Sequence, residues 1–117
     1  MIAFSRGDVV LLKFNFSDES GVKQRPAVVI SSDEYHRGRK EAIIAAITSK
    51  VDRLLIGDYL IEDWKKAGLL FPSVATGIIR TVKQEMVSRK LGSIPVKEMR
   101  VIGKKIQSIL NLDLPVQ

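Results

Sequence analysis

The stretch Gly21-Val22-Lys23-Gln24-Arg25-Pro26-Ala27-Val28-Val29-Ile30-Ser31 passes from a polar loop into a run of β-branched residues. The run 27–31 is too short for a helix and reads as a strand. Pro26 has no N–H to give to a ladder, so the strand is expected to begin beside it. Residues 15–24 then form a polar loop, with Gly21 free for positive φ. Arg25 is left beside a stiff ring at the mouth of a buried strand. A planar guanidinium so held forks onto phosphate oxygens with little rotamer freedom to lose.

Similar runs lie on both sides. Upstream, Arg6-Gly7-Asp8 opens the strand Val9-Val10-Leu11-Leu12-Lys13-Phe14. Downstream, Ser32-Asp33 turns the chain into a basic loop, residues 35–40, with four potentially cationic side chains in six. Residues 41–48 form the most apolar strand, with Ala42-Ile43-Ile44-Ala45-Ala46-Ile47 continuous enough for burial on both faces. It closes on Thr48-Ser49. Leu54-Leu55-Ile56 and Tyr59-Leu60-Ile61 read as strand material around Gly57-Asp58. Residues 62–67 read as a short helical turn stopped by Gly68. Residues 77–82 and 86–91 supply two more strands, the second shorter.

Pro95 suits the first turn of a helix. Val96, Met99, Ile102, Ile106, Ile109 and Leu110 follow at three- and four-residue spacing, while Lys97, Glu98, Arg100, Lys104, Lys105 and Gln107 fill the other face. That pattern is an amphipathic helix of about 15 residues. Short strands first and one helix last predict a mainly β domain: a small β-barrel or half-barrel with a C-terminal helix packed on it.

The composition narrows the function. A chain of 117 residues is expected to make a single domain, residues 1–117. It contains no cysteine and one histidine, which argues against thiol nucleophiles, disulfides and a zinc site, so no metal or cofactor is expected. No apolar run reaches the roughly 20 residues of a membrane span, and the N-terminus lacks a signal-peptide core, so the expected compartment is the cytoplasm. The net charge of +6 favours an anionic partner, nucleic acid first.

These residues carry a resemblance. Arg6-Gly7-Asp8-Val9-Val10, Lys23-Gln24-Arg25-Pro26-Ala27-Val28-Val29-Ile30-Ser31, Ile44-Ala45-Ala46-Ile47-Thr48-Ser49, residues 58–69, Pro72-Ser73-Val74 and Arg89-Lys90-Leu91-Gly92 run in order along nearly the whole chain. Together they resemble the MazF/PemK family of toxin endoribonucleases of bacterial toxin–antitoxin systems, the PemK-like branch more than MazF proper. The resemblance implies an SH3-like barrel, usually a homodimer. It implies metal-independent cleavage of single-stranded RNA, blocked by a cognate antitoxin. The family's catalytic arginine falls on Arg25 and its hydroxyl partner on Thr48. Lys23, Gln24 and Ser49 are the expected substrate contacts beside them, with Arg80 and Lys83 the basic residues near the strand after Ser73.

RNA is cut when its 2′-OH attacks the adjacent phosphorus. A protein must align that attack and stabilise the charge that builds on phosphorus. Arg25 and Thr48 can both donate to the non-bridging oxygens. Arginine is a poor base because its pKa exceeds about 12, so Asp18, Glu19, His36 and Glu85 are the candidate proton acceptors. Simpler readings stand beside these. Arg25 could be a surface cation, Thr48 a strand-end residue, His36 a solvated loop histidine, Trp64 a core anchor and Asp8 a turn-former. The Arg37-Gly38-Arg39-Lys40 cluster could track phosphates or form a basic hairpin. A non-catalytic RNA- or protein-binding barrel is the alternative function. A gyrase poison of the CcdB type ranks below both, because the Trp-Gly-Ile ending of that type is replaced here by Leu112-Asp113-Leu114-Pro115-Val116-Gln117.

Overall fold

Alternation of apolar residues that are buried on both sides of the backbone organises the molecule. The computed structural model describes residues 2–15 and 22–112. Strands β1 (Asp8–Asn15) and β2 (Val22–Val29) lead to helix α1 (Asp33–Gly38) and strand β3 (Glu41–Thr48). Strands β4 (Tyr59–Leu60), β5 (Val74–Lys83) and β6 (Val87–Ser93) follow, and helix α2 (Val96–Ile109) comes last. They form one antiparallel sheet in the order β4-β5-β3-β2-β1-β6.

Each face of the sheet has its own core. Val9, Val28, Ala45 and Ile47 point to one face and pack with Ile61, Ala67, Leu69 and Ile94 beneath Ile102 of α2. Met99, Ile106 and Trp64 are half-buried against the same cluster, so Trp64 is a core anchor. Val10, Leu12, Ala27, Val29 and Ile44 point the other way and pack with Val82 and Val87. This double burial is why the β3 run is apolar without alternation. Each such Val or Ile side chain contributes about 1.5–3 kcal/mol when fully buried.

The expected barrel does not form. β4 and β6 are the two ends of the sheet, and no ladder joins them among the described residues. The reason is local. β4 holds only two residues, and both pair with β5, as Tyr59↔Ala75 and Leu60↔Val74. The turn after β4 leans on β6 instead. Gly68 stands at φ +81 with the Leu91 carbonyl packed so close that no Cβ fits, and Gly92 meets Ala67 in the same way. Packing, and not hydrogen-bonded closure, brings the two ends together.

Three further expectations change. Pro26 lies inside β2, opposite Leu11 of β1, and not at the start of the strand. The proline rule acts on the other edge only: the β2–β3 ladder runs over Ala27↔Ala46, Val28↔Ala45 and Val29↔Ile44 and stops where Pro26 has no N–H to give. The basic loop 35–40 is mostly the helix α1, started by Ser32, whose hydroxyl accepts the Tyr35 N–H at 3.2 Å. Residues 54–56 form no strand, because Asp58 and Gly57 fold them into a turn: Asp58 accepts the Leu55 N–H at 2.9 Å and Gly57 sits at φ +92. The turn 62–68 and its glycine stop are as expected, with Ala67 N–H bonded to Asp63 O and Leu69 N–H to Trp64 O. Of the loop expected over 15–24, Asn15 instead ends β1 and residues 22–24 open β2, and the remainder, Gly21 included, lies outside the described residues.

Candidate active site

The end of the β2–β3 ladder makes the site. Two residues past its last pair, Ala27↔Ala46, stand Arg25 on β2 and Thr48 on β3. A cleft of about 640 Å³ opens there. Its walls are Gln24, Arg25 and Pro26 from β2, Ile47 and Thr48 from β3, and Ser49 and Lys50 just beyond. Leu69, Leu70, Phe71 and Ser73 close one side, and Arg89 and Leu91 of β6 the other. Arg89 reaches the cleft because β6 pairs Arg89 with Leu11, which also faces Pro26.

The polar groups are arranged for an anion. Arg25, Lys50 and Arg89 are exposed cations, and no carboxylate or imidazole lines the cleft among the described residues. Thr48 Oγ1 accepts the Lys50 N–H at 3.2 Å, which fixes the oxygen and leaves its proton free to be donated outward. Ser73 Oγ already donates to the Phe71 carbonyl at 2.7 Å and shapes the wall. Phe71 and Leu70 are largely exposed and offer apolar surface beside the cations. Among the described residues, no group of three or more His, Asp and Glu side chains is placed to hold a metal ion.

Of the residues expected from sequence, Arg25, Thr48, Gln24 and Ser49 meet in this cleft. Lys23 is exposed on β2 one residue outside it. Arg80 and Lys83 lie elsewhere. They pair with Ile44 and Glu41, whereas Thr48 pairs with Val74 at the other end of the same ladder. Thr48 lies seven steps along β3 from Glu41, about 23 Å, and four steps from Ile44, about 13 Å. Arg6 is also remote, because antiparallel pairing sets the start of β1 beside the end of β2: Gly7 N–H bonds to Val29 O. Lys50, Arg89 and Ser73 are additions: Ser73 and Arg89 stand in motifs that carry the resemblance but were not expected at the site, and Lys50 was not singled out.

Of the candidate bases, the two that are described, His36 and Glu85, do not join the cleft. Asp18 and Glu19 fall outside the described residues. Glu85 sits in the 3₁₀ turn after β5, beyond Lys83. His36 is on α1 near the far end of β2, and it is not solvated as expected. Its Nε2 meets Ser31 Oγ at 2.6 Å, its ring packs edge-on to Phe4 at 4.8 Å between centroids, and its Nδ1 is buried without a partner. Burial pushes its pKa below the usual histidine value, and Asp33 opposes that shift. Asp8 is the turn-former: it accepts the Ser5 N–H at 2.8 Å and the Ser93 hydroxyl at 2.7 Å, with Lys90 at 3.3 Å. In the basic cluster, Arg39 binds Glu41 at 2.8 Å and covers the Tyr35 ring, at the end of β3 away from Thr48.

Residues 5–110 match the family of PemK-like, MazF-like toxins of type II toxin–antitoxin systems. The chain belongs to this family. A comparison with curated protein sequences finds no match. Among solved structures, this PemK-like chain is similar to MazF in a MazE–MazF structure from Deinococcus radiodurans, with 18% identity over 94% of this chain and 97% of that one, at a TM-score of 0.79. It is similar to an endoribonuclease in complex with its cognate antitoxin from a Mycobacterial species, with 18% identity over 97% and 100% of the two chains, at a TM-score of 0.76. It is also similar to the Mycobacterium tuberculosis toxin MazF-mt6, with 19% identity over 90% and 99%, at a TM-score of 0.71. At such identities the likeness is one of fold. No helix among the described residues of the PemK-like chain is long and apolar enough to cross a membrane.

Proposed function

We propose that this toxin-family chain is an endoribonuclease that cuts single-stranded RNA without a metal. The observation that carries the reading is the meeting of Arg25 and Thr48 in one cationic cleft free of carboxylates among the described residues. A phosphodiester enters such a cleft without repulsion. The 2′-oxygen attacks phosphorus and the bond to the 5′-oxygen breaks. The products are a 2′,3′-cyclic phosphate and a 5′-OH, with the 2′-OH proton lost and one proton gained by the leaving oxygen. Arg25 forks onto the non-bridging oxygens as their charge grows, and the Thr48 hydroxyl donates to the same group. Arg89 and Lys50 hold the flanking backbone. One similar solved endoribonuclease is in complex with its cognate antitoxin. By analogy an acidic antitoxin segment covers this cleft and excludes RNA, with an affinity that falls as salt rises.

The reading is tested on an unstructured RNA in excess EDTA. Wild-type protein should cut, and Arg25→Ala should lose on the order of 10²–10³ in rate, the usual effect of one transition-state donor. Arg25→Lys should stay poor because an ammonium cannot fork. Deoxyribose on the 5′ side of the cut should stop cleavage there and preserve binding. Cleavage of that deoxy substrate would point to a water nucleophile and end the proposal. RNA retained and never cut by the wild type would make the chain a binding module.

We also propose a homodimer. By sequence, residues 42–47, 96–110 and 112–116 carry more apolar surface than one small barrel needs to cover; residues 42–47 are consumed inside the sheet, but Val96 and Val101 of α2 and Leu110 just after it stay exposed. Of the tail 112–116, Leu112 is exposed too, and residues 113–116 lie outside the described residues.

A further inference from the structure

A second cleft, of about 600 Å³, joins the first along Thr48 and Lys50, which line both. The Lys50 N–H bond to Thr48 Oγ1 makes the two residues one ridge. A strand of RNA whose scissile phosphate rests on Arg25 and Thr48 has a neighbouring nucleotide on the far side of that ridge. The second cleft is where it falls.

The lining differs from that of the first cleft in a telling way: it contains carboxylates. Asp58 is already engaged, with one oxygen on the Leu55 N–H and the other on the Gly77 N–H, both at 2.9 Å. Asp52 is exposed, and neither it nor Arg53 makes a side-chain hydrogen bond or ion pair among the described residues. A carboxylate repels phosphate and accepts N–H groups. Set between Lys50 and Arg53 in a nucleic-acid groove, it suits a base edge and not the backbone. Leu55 and Ile78, both more than half exposed, add apolar surface on which a base can lie. Two carboxylate oxygens side by side match the parallel N1–H and N2–H of guanine. Adenine, cytosine and uracil each offer one such donor group.

We propose that this cleft is a specificity subsite for the unpaired nucleotide adjoining the cut, with guanine as its best occupant. Asp52 accepts from the base edge, Leu55 and Ile78 carry its face, and Lys50 and Arg53 hold its phosphate. The subsite rests on the endoribonuclease reading above, and its test separates the two.

The experiment uses an oligonucleotide whose cut site has been mapped with the wild-type protein. Each nucleotide adjoining the cut is set in turn to guanine, uracil or an abasic ribose. At one of these positions wild-type kcat/KM should fall about tenfold from guanine to the abasic form, within the range of one well-made pair to a base edge. Asp52→Ala should remove that preference while cutting the abasic substrate at least as fast as wild type, since a charge that repels phosphate is lost, and a circular-dichroism melt matching wild type shows that it folds. Arg53→Ala should slow all these substrates alike and weaken their salt dependence. An unchanged guanine preference in Asp52→Ala overturns the subsite and leaves the nuclease intact. If the wild type cuts nothing on any unstructured RNA, the nuclease reading fails, and labelled oligonucleotides carrying one central guanine, uracil or abasic ribose in an otherwise uniform strand are compared by fluorescence anisotropy. Guanine-selective binding lost in Asp52→Ala then supports the cleft, and equal affinities overturn it.

Discussion

Glu98→Ala should destabilise the fold through one buried carboxylate that links α2 to the wall of the cleft. Glu98 is 6% exposed. One of its oxygens accepts the Tyr59 hydroxyl at 2.8 Å and the Glu62 N–H at 2.7 Å, and the other accepts the Asp63 N–H at 3.2 Å. Burial, and then the bond to Glu98, push the Tyr59 hydroxyl pKa above its ordinary value. Three donors thus replace water around one charge. A hydrogen bond to a charged group contributes about 1.5–3 kcal/mol. Residues 62 and 63 are exposed, so water recovers part of what alanine removes. The net loss is then about 2–4 kcal/mol. For a domain of this size each kcal/mol moves the melting midpoint by about 4 °C, giving a fall of roughly 8–16 °C. Glu98→Gln keeps one acceptor oxygen but turns an NH₂ toward the Asp63 N–H, so it should cost about half as much. Because the segment pinned by Glu98 runs on into Leu69, Leu70 and Phe71, both variants should also lose RNA cleavage at temperatures where they remain folded. Urea and thermal unfolding monitored by circular dichroism measure the first effect. A Glu98→Ala midpoint within about 2 °C of wild type, or a Glu98→Gln as damaged as the alanine variant, refutes the reasoning.

Thr48→Ala should lower turnover far more than RNA affinity, whereas Thr48→Ser should keep much of the activity because the hydroxyl remains; equal damage in both would mean that the methyl group is what matters. His36 is held neutral in the fold by burial, so its folded pKa lies below the ordinary value near 6.5. Its stabilisation is therefore complete above pH of about 6.5 and is lost as pH falls through the folded value. Urea midpoints should drop between neutral and mildly acidic pH in the wild type and drop less in His36→Gln; parallel curves would contradict this. Sedimentation equilibrium at micromolar protein should give twice the 13.1 kDa chain mass, and Val101→Glu on the exposed side of α2 should shift it toward the monomer; a monomer mass throughout removes the dimer.

How much of this was legible in the sequence depends on the range of the cause. β1, β3 and α2 follow from local patterns, and their bounds fall within a residue or two of expectation. Arg25 and Thr48 were named from the family resemblance, and their meeting in one cleft follows from the register of β2 on β3. Arg89 was not legible, since it reaches the cleft only through the register of β6 on β1, which shifts twice along the ladder. The barrel failed for a similar reason: closure depends on whether two distant edges pair, and a two-residue β4 leaves nothing for β6 to hold. Pro26 shows the same limit in miniature. The rule that proline breaks a ladder is right, but a strand has two edges, and only the fold shows which edge is broken. Here it is the edge facing β3, so β2 runs on along β1 while its other side opens into the cleft. Residues 54–56 carry the point furthest. Their apolar side chains announce a preference for burial, yet they meet no free strand to pair with and stay largely exposed around Ile56, at 92%. Sequence reports what a side chain prefers, not whether the fold has room for it. Two of these residues, Leu55 and Ile56, end beside Lys50 and Arg53 in the wall of the second cleft, so apolar side chains that found no place in the core supply exposed surface at a groove instead.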